Sequence, residues 1–142
     1  MAVRYSTGQL SSLLAKIKLD QTLAFVDIYT GAQPSSSDNP QTGTLLATVT
    51  LEGDGVTGLT FDDPVGAVMG IPSATNWGAT GLADGTAGSF RLRTSTDTNV
   101  QSETELRIDG AVGTSSGDMI LSNVQIKTGA PMSIDIFNIT LS

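Results

Sequence analysis

Short runs in which apolar and polar side chains alternate recur along the chain, each closed by glycine, proline, asparagine or aspartate. That period of two, broken this often, is the signature of strands and leaves little room for any other fold. Leu45 to Leu51 shows it most clearly, with Leu45, Ala47, Val49 and Leu51 on one side and Thr48 and Thr50 on the other. In Leu23 to Thr30, Ala24, Val26 and Ile28 share one face and Phe25, Asp27 and Tyr29 the other. Asp54-Gly55 is a hairpin dipeptide and predicts that Val56 to Phe61 returns as a strand. Ala87 to Arg93 places Phe90 and Leu92 inward and Arg91 and Arg93 outward. Glu105 to Asp109 alternates strictly, and short apolar runs at Met119–Leu121 and Val124–Ile126 flank Ser122-Asn123. The closing segment alternates as Met132, Ile134, Ile136 and then slips by one to Phe137, Ile139, Leu141. Such a slip turns side chains to the wrong face unless a bulge absorbs it, so a bulge is expected near Ile136–Phe137. The expected fold is all-β, a β-sandwich or jelly-roll-like barrel of about eight or nine short antiparallel strands. A short N-terminal amphipathic helix precedes it.

That helix is legible in its ends. Ser6 as N-cap and Gln9 three residues later form a capping box, and Tyr5 and Leu10 are placed to make a hydrophobic staple. Leu10, Leu13, Leu14 and Ile17 make one apolar stripe, and Lys16 and Lys18 sit where the helix dipole favours cations. A helix this short is marginal alone in water, so its stripe is expected to dock on another subunit or, foremost, on the domain's own sheet. Residues 1–142 read as one domain, with 1–19 as arm and helix and 20–142 as the β-sandwich. Between two strand runs lies a polar stretch, Gly31 to Gly43, with two prolines and three consecutive serines. A loop that long is either solvated surface or a contact arm. Trp77, the only tryptophan, stands among glycine and alanine and reads as a packing anchor.

No histidine and no cysteine occur in the 142 residues, which removes the side chains behind most hydrolytic, redox and metal-assisted chemistry at neutral pH. A net charge of −7 argues against a nucleic-acid surface, which needs clustered Lys and Arg. Arg91, Arg93 and Arg107 are the candidates for a basic patch, and alternation reads them as solvent-facing partners of Glu103, Glu105 and Asp109. No signal peptide or membrane-spanning run is visible, so synthesis in a cytoplasm is expected. The sequon Asn138-Ile139-Thr140 falls inside a strand and reads as chance.

Catalysis would have to come from carboxylates. Asp62 and Asp63 are adjacent and point apart on a strand, and Asp84-Gly85-Thr86 reads as a turn. Asp27, Glu103, Glu105 and Asp109 could pair only through the fold. Glu52-Gly53-Asp54-Gly55 and Asp97-Thr98-Asn99 cluster oxygens, but neither has the spacing of a calcium loop, and turn chemistry explains both. The residues therefore predict no enzyme, no cofactor and no metal.

Several segments resemble small tailed-bacteriophage virion proteins: the opening Met1 to Gly8 with its leucine helix, Val26 to Pro34, Gly43 to Val49, Gly85 to Arg91 and Arg107 to Thr114. The similarity continues through Leu121-Ser122-Asn123, Gly129-Ala130-Pro131 and Ile134 to Phe137. The resemblance implies a virion structural protein, foremost a capsid decoration (cement) protein bound in many copies to the head. A tail, head–tail connector or fibre-base component is the second reading, and a carbohydrate-binding β-sandwich the third. Implied partners are the major capsid protein or other virion proteins and further copies of the chain, with neither nucleic acid nor membrane. The implied contacts are the N-terminal arm Met1–Tyr5, foremost Val3, Arg4 and Tyr5, and the loop residues Gln33, Pro34, Ser35, Ser36, Asp38, Asn39 and Pro40. Exposed edge strands would add to a partner's sheet.

Overall fold

The computed structural model describes residues 3–142; Met1 and Ala2 of the expected arm lie outside them. The chain is mostly β with one helix. Helix α1 (Thr7–Asp20) is followed by β1 (Phe25–Thr30), β2 (Leu45–Leu51), β3 (Val68–Gly70), β4 (Trp77–Thr80) and β5 (Gly85–Arg93). Then come β6 (Ile108–Gly113), β7 (Met119–Leu121), β8 (Gln125–Ile126) and β9 (Pro131–Thr140). Seven strands pair in the order β1-β2-β4-β9-β7-β6-β5, and β5 pairs back to β1, closing a barrel. Strand β3 is added on β9 and β8 on β5.

Ser6 caps α1 by accepting from the Gln9 N–H at 3.1 Å, as the sequence predicts. Leu10 and Leu14 are buried, and Leu14 joins the barrel core, while Leu13 at the stripe's edge is exposed. Tyr5 is 55% exposed and does not staple the helix. Inside the barrel, Phe61 meets Trp77 edge-on at 5.1 Å and Phe90 meets Phe137 at the same centroid distance. Trp77 is fully buried, a packing anchor as expected.

Three strand expectations need correction. Val56 to Phe61 forms no strand; only Leu59 bridges to Ala24. The Asp54 carboxylate takes the Val56 and Thr57 N–H groups at 2.8 and 2.7 Å and curls the chain into a loop instead of a hairpin. Glu105 to Arg107 also lies outside a strand, since β6 begins at Ile108. And the pairings are not all antiparallel: β6 and β7 run parallel, Val112 beside Met119. Parallel neighbours ordinarily need a long crossover. Here the chain coils tightly, Asp118 N–H bonding back to Ala111 C=O at 2.9 Å. Gly113 permits it, because a Cβ there would lie 1.9 Å from the Ser116 carbonyl oxygen. The phase slip in β9 is present one residue earlier than expected: Ile120 faces Ile136 and Leu121 faces Ile134, so Asp135 is the extra residue. Ile134 and Phe137 thereby both reach the core, and Ile136 is left 54% exposed.

Candidate interaction surface

Thr48, Asp27, Arg91 and Asp109 stand opposite one another across β2, β1, β5 and β6, a polar row on the outer face of the barrel. Arg91 grips Asp109 with Nε and Nη2, both at 2.8 Å. Asp27 accepts from Thr48 at 2.8 Å and from Arg93 Nε at 2.6 Å, and the Arg93 guanidinium lies 5.3 Å from the Phe25 ring centre. Arg107 grips Asp97 the same way, at 2.6 and 2.8 Å. The side chains of Arg91, Asp109, Arg107 and Asp97 are each no more than 2% exposed. These arginines are therefore not the solvent-facing residues that alternation predicts. Of the three acids expected beside them, only Asp109 forms an ion pair; Glu103 and Glu105 form none among the described residues.

The Gly31–Gly43 stretch roofs this face and buries its ion pairs. Arg91 and Arg107 spend further guanidinium donors on loop carbonyls. Arg91 Nη2 donates to Asn39 C=O at 2.7 Å and Ser37 C=O at 3.2 Å, while Arg107 Nη1 donates to Ser37 and Asp38 C=O, each at 3.2 Å. Asn99, at φ +59°, takes the Gln41 N–H at 2.9 Å and returns a bond to Gln41 C=O. Asparagine is among the few residues at ease in that left-handed backbone. Ser102 N–H also bonds Asp38 C=O at 2.8 Å. Arg91 and Arg107 thus sit between a carboxylate and the loop, their planar forks filled on both sides. Buried ion pairs roughly break even against apolar packing, so the gain here is a fixed loop position more than raw stability.

The electrostatics follow. The Arg107 hydrogen bonds hold the Asp97 carboxyl below the usual carboxylate range against the opposing effect of burial. Asp97 in turn raises Arg107. Burial, then the Asp27 charge, pushes the Tyr29 hydroxyl up to about 12.

The expected contact residues fall into two groups. Gln33, Ser35, Ser36 and Asp38 are exposed on the fixed loop, and Pro34, Asn39 and Pro40 are half-buried beneath it. Val3, Arg4 and Tyr5 are all exposed ahead of α1. The two groups are not brought together. Thr7 lies against Gly66, whereas Gln21 at the other end of the helix bonds Leu106 C=O at 2.9 Å, beside the Arg107 that holds the loop. Fourteen residues of helix separate them, about 21 Å.

Asp27 and Asp109 are committed to arginines, and the Asp54 carboxylate is filled by Val56 and Thr57. Among the described residues no cluster of three or more histidine, cysteine, aspartate or glutamate side chains is placed to hold a metal ion. A carbohydrate-binding sandwich would need exposed aromatics, and Trp77 and Tyr29 are both buried. Among the described residues no helix is long and apolar enough to cross a membrane.

Charge is unevenly shared between inside and outside. Five of the seven basic side chains are used in ion pairs, which leaves only Arg4 and Lys127 unpaired among the described residues. Nine of the fourteen carboxylates have no such partner and lie at the surface. Carboxylates thus outnumber cations at the surface. No family model matches the chain, and no curated protein or solved structure shows significant similarity to it.

Proposed function

We propose that the protein is a bacteriophage virion component, a capsid decoration protein made in the host cytoplasm and bound to the outside of the assembled head. The observation that carries this reading is the roof loop. Gln33, Ser35, Ser36 and Asp38 are displayed on backbone held by two buried arginines, so little ordering entropy remains to be lost on docking. A β-barrel module of this kind needs no reaction, cofactor or nucleic acid to act. It binds only the assembled shell and stabilises it by mass action. The resemblance to virion proteins supports the choice of shell. The surplus of surface carboxylates supports a basic footprint on the major capsid protein.

Binding of purified protein to particles that lack it tests the reading. Asp38→Lys changes an exposed side chain whose backbone alone holds the loop, so the variant folds normally while binding falls about tenfold or more. Unchanged binding by this variant and by a Ser35→Arg/Ser36→Arg variant would remove the loop from the interface. Absence of binding to any head would remove the proposal. Binding confined to the tail or its connector would replace it with the second structural role.

A further inference from the structure

The barrel has an unfilled seam. Strand β7 has only three residues and reaches β6 at Val112 and Gly113 and β9 at Ile134 to Phe137. Among the described residues no strand stands between Ile108–Gly110 of β6 and Asn138–Thr140 of β9. A cavity of about 400 Å³ opens there, floored by Phe90 and Phe137 and flanked by Ile108, Ile139 and Asp118.

The main chain on both sides points into it. Ala111 spends its N–H and C=O on Asp118, and in a strand residues two apart face the same way, so Asp109 turns its N–H and C=O into the seam. The Asp109 side chain is 2% exposed while the residue as a whole is half-buried, so what meets solvent is its backbone. On β9, Leu141 N–H goes to Ala67 on the β3 side, which turns Thr140 to the opposite, open side. Two facing ladders with no strand between them form a template for one more strand.

We infer that this seam accepts the extended segment Val3–Tyr5 of a second copy as an added strand. The segment is exposed throughout and enters Ser6 in extended backbone, φ −68° and ψ 160°. Its three residues match the three of Asn138–Thr140 at ~3.4 Å each. Val3, 82% exposed, and Tyr5 share one face and would cover the apolar floor. Arg4, between them, points to the rim, where it meets Asp118, an exposed carboxylate with no cation partner among the described residues. The chain's own segment falls short. Thr7 is held at Gly66 in the hairpin of β3, on the far side of β9, about two strand spacings (~10 Å) from the seam. The two residues from Tyr5 to Thr7 span at most ~7 Å. Donor and acceptor are different surfaces, so the contact is head-to-tail and builds a ring or an open chain.

Sedimentation velocity of the full chain over a range of concentrations tests this without any particle, so it can fail or succeed independently of shell binding. Mass is expected to rise with concentration. Arg4→Glu, on an exposed side chain, is expected to weaken association about tenfold. An added peptide of the Met1–Ser6 sequence is expected to dissolve the assembly and slow hydrogen exchange at the Asp109 and Thr140 amides. A chain that stays monomeric at every concentration overturns the inference, whether those amides exchange fast or are protected by its own segment. An assembly indifferent to both Arg4→Glu and the peptide overturns it equally.

Discussion

Arg91 does more than any other side chain to set the surface of this barrel. It satisfies Asp109, Asn99 and two loop carbonyls at once, with its own side chain 1% exposed. Arg91→Met keeps the bulk and removes every donor, leaving a buried carboxylate and two carbonyls without partners. Loss of one partner of a buried pair costs ~3–5 kcal/mol, which at this chain length is a fall in Tm of about 10 °C, measurable by calorimetry. Asp97 makes the roof acid-sensitive. Its carboxyl titrates below its unfolded value, so its stabilisation is complete above about pH 4 and is lost as pH falls through the folded value. Amides of Ser37 to Gln41 should therefore exchange faster than the core below that pH, and Asp97→Asn should shrink the difference. Uniform acid unfolding of loop and core together would refute this local role. None of this was readable from alternation, which sorts side chains by face but says nothing of what covers a face. The available signal was Asp27, a carboxylate inside the apolar run LAFVDIYT that needed a cation.

At the scale of elements, local chemistry was legible and long-range pairing was not. The helix start at Ser6, the strands at Phe25–Thr30 and Leu45–Leu51 and the β9 bulge follow from side-chain period and cap residues alone. Ser6→Ala removes one cap bond and should cost ~1 kcal/mol in urea unfolding, with β-sheet content unchanged. The hairpin at Asp54-Gly55 failed because the same aspartate can close a loop on its own backbone as readily as it can seat a hairpin turn. The parallel β6–β7 pair was invisible for a different reason, since it depends on the coil at Gly113 and not on any strand pattern. Gly113→Ala sets a methyl against a backbone oxygen that cannot give way without opening the coil. It should destabilise by ~2 kcal/mol or more, where Ala111→Gly, an exposed change on the same strand, costs under ~1 kcal/mol. Equal effects would mean that the coil is not constrained there.

For the whole molecule, the division of charge is the feature with functional reach. Three of the seven cations, Arg91, Arg93 and Arg107, are buried in the service of architecture, and exposed carboxylates outnumber the cations left outside. Attachment to a basic footprint should then weaken as salt rises, while the fold, whose three arginine pairs are buried, should be little affected. The account stands or falls on whether this surface serves a shell. The ratio of this chain to the major capsid protein in purified particles, read by densitometry, is the most direct measure. A ratio of the same order as the capsid protein itself is predicted. Its absence from the particles, or a dozen copies or fewer, would contradict a role on the head.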